Sequence, residues 1–434
     1  MARLVLHGVD VLGRGVRDLA VVDDRLVDAD RASSRDAGWQ HIDCTGLVGL
    51  PALVDMHTHL RDPGAGDAET IESGSRAAAC GGYGAVCAMA NTTPVADTVE
   101  VVEYEQRRGR EVGLCDVHPV GALTRGLRGD RLADLAGMAH SRARVRLFSD
   151  DGQCLTRSDL LWDAMVQLRT VDGILAQHCQ DPALTVDAQV DDGPIADELG
   201  LPGWPGAAET TVIARDAALA GYLGARLHIC HVSTAAGVAA VRWAKQQGWP
   251  VTAEASPHHL TLTSRLALSG DPVFKVNPPL RSAQDMAAVQ QGLVDGTIDV
   301  IGTDHAPHPD ASKSRPWSEA PSGMLGLQTA LSVVAETFIT TGRLGWAELA
   351  QRMSDTPARL LGLSTSHGGD LRAGRPASLC LVDPRRAWTV TVGDLASIAH
   401  NSPYLGHTYQ ARVVATLLRG LPTYDCDDRF PAEG

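Results

Sequence analysis

Two histidines separated by one residue, His57 and His59, close the apolar run that opens at Leu53. Alternate side chains of a strand share a face, so the pair forms a pincer able to hold a divalent cation. Three more candidate ligands each end a different apolar run: His178 after Gly173–Gln177, His231 after Leu227–Cys230, and Asp304 after Asp299–Thr303. Four imidazoles and a carboxylate exceed the needs of one catalytic ion, which takes three protein ligands and keeps a position open for water. The surplus predicts two ions. Two divalent cations about 3.5–4 Å apart repel strongly unless an anion bridges them. A carbamylated lysine cannot serve on the early strands, because the first lysine of the chain is Lys245. The run Arg144–Ser149 leads instead into Asp150-Asp151-Gly152, where Asp151 is the favoured bridge and Asp150 the alternative.

Such a constellation needs a frame that gathers strand ends over one mouth. From Leu53 onward, short apolar runs alternate with longer Ala/Leu/Arg-rich segments, the pattern of β and α units feeding a parallel sheet. Eight candidate strands follow: 53–59, 84–90, 116–122, 144–149, 173–178, 226–231, 251–255 and 299–303. Eight units predict a closed (β/α)8 TIM-like barrel, whose chemistry sits at the C-terminal ends of the strands. Residues 1–50 read as short period-two strands, and the pattern turns strand-like again at 377–382, 388–392 and 411–418. The expected architecture is an α/β barrel over 51–364 flanked by a small β-sandwich built from 1–50 and 365–434.

Composition narrows the partners. Hydrophobic residues at 44% and charged residues at 21% fit an ordinary globular chain. A net charge of −14 and only 4% aromatic residues argue against nucleic acid and against an anionic membrane surface. Of 38 cationic side chains only three are lysines, at 245, 275 and 313. Nine scattered cysteines without a Cys-x-x-Cys pair fit a reducing cytoplasm, and no stretch of about 18 uncharged apolar residues or secretory leader is visible.

Several segments resemble the amidohydrolase superfamily, and within it the type I dihydroorotases of pyrimidine biosynthesis that use aspartate in place of a carbamylated lysine. The carriers are Asp55-Met56-His57-Thr58-His59-Leu60-Arg61-Asp62-Pro63-Gly64, Met89-Ala90-Asn91-Thr92-Thr93-Pro94, Phe148-Ser149-Asp150-Asp151-Gly152, His231-Val232-Ser233-Thr234, Glu254-Ala255-Ser256-Pro257-His258-His259-Leu260, Lys275-Val276-Asn277-Pro278-Pro279-Leu280-Arg281 and Gly302-Thr303-Asp304-His305-Ala306-Pro307-His308. The likeness extends over essentially the whole chain. It implies that His57, His59 and Asp304 hold one zinc, that His178 and His231 hold a second, and that Asp151 bridges them with hydroxide. It further implies that His59, Arg61, Asn91 and Asn277 grip the substrate, with His308 and the backbone near Ser322 and Gly323 closing over it. Asp304 would be the catalytic acid and base in the reversible cyclisation of N-carbamoyl-L-aspartate to dihydroorotate. A homodimer and a complex with aspartate transcarbamoylase are the associations the resemblance admits. Two departures stand out: Ala52 replaces the usual glycine, and the loop Pro309–Pro321 lacks a Glu-Lys pair and the phenylalanine before Gly323.

Two other readings compete. A hydantoinase or allantoinase would act on a related cyclic amide, but those enzymes usually carry the missing lysine and need no arginine aimed at a ring carboxylate. A catalytically silent scaffold for a transcarbamoylase typically loses metal-binding histidines, all of which are present. His228 is expected to face away from His231 as a core or helix-contact residue, Cys179 and Cys230 to point away from the ligand face, and His258 and His259 to be structural or to support the ligands from behind, not to bind metal themselves.

Overall fold

The computed structural model describes residues 3–31 and 38–430. The parts of the two terminal segments at 1–2, 32–37 and 431–434 lie outside the described residues. Eight parallel strands occupy the expected positions: Leu53–Thr58, Tyr83–Ala88, Asp116–Pro119, Leu147–Phe148, Ile174–Gln177, Arg226–Ile229, Val251–Ala255 and Val300–Ile301. The first three pair with one another and so do the last five. Single parallel bridges, Gly121 to Phe148 and Thr58 to His305, join the two sets at both edges and close the barrel. The Gly121 seam depends on the missing side chain, since a Cβ there would stand 2.8 Å from the Phe148 ring.

Alternation along the strands separates two cores. Val86 and Ala88 pack outward with Leu175, Leu227 and the surrounding helices. Ala85, Cys87, Ala176 and Val300 line the interior with Val54 and Met56. The first strand breaks this period. Its register shifts between Asp55 and Thr58, so three steps there oppose two on the neighbour. This irregularity turns His57 inward although Met56 before it already faces the interior.

The terminal segments combine into one eight-stranded sheet among the described residues. Leu379–Asp383 adds antiparallel to Val48–Pro51, and Arg412–Leu418 adds to Leu379–Asp383. Leu4, Leu6, Val21, Leu379, Leu381 and Leu417 share one buried cluster, which is why two segments so far apart in sequence close together. One expected strand does not join: Trp388–Thr389 pairs with Thr408–Tyr409 in a separate ribbon, where Trp388 packs with Val333 and Tyr404 instead of with the sheet. An additional strand, Leu421–Asp425, forms the sheet's edge. Among the described residues, no helix is long and apolar enough to cross a membrane.

Candidate metal centre and substrate pocket

The six expected ligands meet at the C-terminal mouth of the barrel, each no more than 5% exposed. Asp151 lies at their centre. Its Oδ1 stands 3.5 Å from His57 Nε2, 3.4 Å from His178 Nδ1 and 3.4 Å from His231 Nε2, and its Oδ2 stands 3.4 Å from His59 Nε2. Asp304 Oδ1 lies 3.3 Å from His59 Nε2 and 3.5 Å from His57 Nε2. Asp150 points elsewhere, accepting from the Thr124 amide at 2.9 Å and the Thr124 hydroxyl at 2.5 Å. That contact turns Asp150 away from the cluster in which Asp151 stands.

Two overlapping triads result, His57–His59–Asp151 and Asp151–His178–His231, with the donor atoms of each within 4.8 Å of one another. Outer hydrogen bonds fix which nitrogen of three of these rings faces inward. His57 Nδ1 donates to Glu254 Oε1 at 2.5 Å, and His59 Nδ1 donates to Asn91 Oδ1 at 2.9 Å. His178 instead donates through Nε2 to Gln180 Oε1 at 2.9 Å, which turns its Nδ1 toward the cluster, 2.9 Å from His231 Nε2. His57 Nε2 and Asp151 Oδ1 are buried without any hydrogen-bond partner. Orphaned acceptors of this kind are costly unless something electropositive satisfies them, so the donor set fits divalent metal.

Electrostatics couple the same groups to one another. Burial alone would raise the Asp151 carboxyl, but His57, His178 and His231 hold it well below its ordinary range. Asp304 is likewise held low against burial, chiefly by His59 and His57. Burial disfavours a charged His57, yet Asp151 and Glu254 together raise its pKa well above the usual value. Backbone strain accompanies the convergence: Arg61, His231 and Asp304 sit at φ of +57°, +32° and +47°.

The expected substrate contacts ring this cluster. Arg61 donates from Nε to the Pro307 carbonyl at 3.3 Å. Asn277 donates to Gln180 Oε1 at 3.1 Å, the atom that also receives His178, while its own Oδ1 is buried and unpartnered. His308 Nε2 donates to the Ser322 carbonyl at 2.8 Å. Gly323 packs against the same ring at φ +146°, and a Cβ there would come within 2.8 Å of it. Burial, Arg61 and Lys313 push the His308 imidazole down to about 3, so it is neutral at physiological pH.

A dihydro-orotase-like family model matches residues 46–236. Dihydroorotase of Streptomyces coelicolor is 49% identical over 98% of both chains, and that of Leifsonia xyli subsp. xyli is 52% identical over 89% of this chain and 88% of its own. The chain belongs to the dihydroorotase family. Dihydroorotase of Mycobacterium tuberculosis is 48% identical over 97% of this chain and 98% of its own. In fold, L-hydantoinase (dihydropyrimidinase) from Arthrobacter aurescens superposes with a TM-score of 0.86 at 24% identity, covering 98% of this chain and 96% of its own. Dihydropyrimidinase from Brevibacillus agri NCHU1002 gives 0.82 at 19% identity over 98% and 95%.

Against this dihydroorotase frame two expectations are corrected. His228 and Cys230 do not turn away from the site. His228 Nε2 donates to Glu254 Oε2 at 3.1 Å, and Cys230 lines the interior beside His57. The turn at His231 breaks the two-residue alternation on which those expectations rested. Cys179 does face outward, and His259 is structural, bonded to Ser256 and the Pro278 carbonyl. His258 presents an unpartnered Nε2 3.8 Å from Asp304 Oδ2, and burial pushes its imidazole down to about 4. Sequence reading assigned no role to Glu254, which receives His57, His228 and the His231 amide. The available signal was a carboxylate inside an otherwise uncharged strand, Val251–Ala255, since lone buried charges are rare.

Proposed function

We propose that this chain is a dihydroorotase, interconverting N-carbamoyl-L-aspartate and dihydroorotate, with His57, His59 and Asp304 toward one zinc, His178 and His231 toward another, and Asp151 shared. The observation that carries the reading is Asp151 standing among four imidazoles with its inward oxygen unsatisfied. Zinc bound there supplies a Lewis acid and lowers the pKa of water to about 7.

The remaining work falls to the chain itself. Asp304, held ionised, accepts the proton of the attacking water and returns it to the departing ring nitrogen. In the cyclising direction the same carboxylate takes the proton from the carbamoyl nitrogen. Arg61 offers a planar fork to the substrate carboxylate in a chain otherwise carrying net negative charge. Asn91, bonded directly to His59, and Asn277, bonded to the Gln180 oxygen that also receives His178, orient the ring amide. His308, with Ser322 and Gly323, covers the open side and limits water.

The proposed division is a barrel over 51–364 and a β-sandwich from 1–50 and 365–434; the separate buried cluster of the terminal strands supports a distinct β unit, to which the ribbon Trp388–Thr389 with Thr408–Tyr409 does not contribute. All six ligands come from one chain, so neither a second copy nor a transcarbamoylase is needed to complete the cluster. Purified protein should open dihydroorotate faster than hydantoin or allantoin and carry close to two zinc ions per chain. Faster turnover of either other ring would overturn the substrate assignment.

A further inference from the structure

Two of the chain's three lysines meet beside the substrate pocket. Lys275 and Lys313 are 8% and 7% exposed, in a protein whose cationic side chains are otherwise almost all arginine. Lys313 ends the short helix Asp310–Lys313 within the loop that joins His308 to Ser322. Its Nζ donates to three carbonyls, Pro321 at 3.0 Å, Gly323 at 3.1 Å and Lys275 at 3.3 Å. Lys275 returns the connection, donating from Nζ to the Trp317 carbonyl at 2.6 Å. The Gly323 amide also reaches the Lys275 carbonyl, at 2.9 Å.

Three carbonyls converging on one point call for a compact ammonium with three rotatable donors. A guanidinium presents a flat, rigid fork and cannot address them together. The arrangement ties the segment bearing Asn277 to the segment bearing Ser322 and Gly323, and His308 leans on the Ser322 carbonyl of that same segment. We infer that Lys313 is a positioning residue: it stitches the Pro309–Pro321 loop onto the Lys275–Asn277 segment and so sets the backbone at Ser322 and Gly323 that faces substrate. Lys275 is the second stitch. The inference rests on the dihydroorotase reading for what the pocket binds, but not for the clamp.

The test compares Lys313→Met, Lys313→Arg and Lys275→Met with Lys245→Met. Lys245 is also bonded to a carbonyl and a carboxylate, at Gly296 and Asp299, but through a different part of the barrel. Both Lys313 variants should raise the KM for dihydroorotate about tenfold, the equivalent of one net hydrogen bond, with metal content unchanged and kcat little altered. Hydrogen exchange of the Gly323 amide should accelerate in both, whereas Lys245→Met should shift only thermal stability. Wild-type KM and wild-type exchange in a folded Lys313→Met protein would overturn the inference, as would restoration of both by Lys313→Arg. Should Lys313→Met not fold, Lys275→Met decides: a smaller KM rise with faster exchange at Gly323 supports the clamp, and no change in either refutes it. If the unmodified enzyme fails to open dihydroorotate, the functional reading falls, and the exchange measurement still judges the clamp.

Discussion

The barrel holds two clusters of the same residue types at its opposite ends. At the mouth, Asp151 and Asp304 have only imidazoles within ion-pair distance among the described residues. At the floor, Asp116, His118 and His367 also bring their donor atoms within 4.8 Å of one another. There Arg419 grips both oxygens of Asp116, at 2.7 and 2.9 Å, and His367 Nε2 adds a bond at 2.9 Å. Unpartnered ring nitrogens occur in both groups, His57 Nε2 at the mouth and His118 Nε2 and His367 Nδ1 at the floor, but a cation at the floor would have to displace a guanidinium from Asp116, whereas Asp151 Oδ1 at the mouth has no hydrogen-bond partner. The lesson is that a His-His-Asp grouping does not identify a metal centre by itself. What decides is whether the carboxylate's charge is already neutralised.

Asp151→Ala should break the contrast most severely. Losing the shared ligand is expected to cost more activity than the roughly 10–100-fold that follows removal of an outer partner, and to lower bound zinc. Metal analysis beside dihydroorotate turnover checks both, and full metal content with full activity would remove the basis for a bridged pair. Next comes Glu254→Gln, which weakens the hold on His57 Nδ1; a fall of about 10–100-fold in activity or zinc affinity is expected, read by turnover across a zinc titration.

At the floor the expected currency is stability. Burial pushes the Asp116 carboxyl up, but the bonds from His367 and Arg419 more than reverse this and hold it far below its usual value. A depressed carboxylate adds stability that is present above the unfolded pKa of about 4 and is lost as the pH falls below it. Asp116→Asn should therefore cost about 1–3 kcal/mol near neutral pH, flatten the decline of Tm on acidification, and leave turnover unchanged. Thermal melts from neutral to acid pH test this, and a matching loss of activity would count against a structural role. The smallest effect belongs to Arg419→Ala, which frees Asp116 Oδ1 and leaves Oδ2 with His367 alone: equilibrium dialysis should find a weak additional zinc site with normal turnover. No extra binding would mean that geometry, not the guanidinium, keeps metal from the floor.

Much of this was legible in one dimension because strand ends in a barrel are addressable by pattern. His57, His59, His178, His231 and Asp304 each close an apolar run, and the late appearance of the first lysine directed attention to Asp151. Alternation failed where the backbone leaves the regular strand. The shift between Asp55 and Thr58 and the left-handed turn at His231 re-aim side chains that a two-residue period assigns to the wrong face. Glu254, Gln180 and Lys313 were missed for a different reason, since their partners lie far away in sequence or are carbonyls, which no side-chain pattern records.

The order of residues alone indicated the barrel, the candidate ligand types and an acid side chain as their expected bridge, because periodicity and composition are local properties. Only the folded chain decided that Asp151 and not Asp150 turns inward, that His228 joins Glu254, and that one His-His-Asp group is open while the other is sealed by Arg419. Those outcomes depend on which distant backbone and charge each side chain finds on closing the barrel, and such encounters are set by packing in three dimensions.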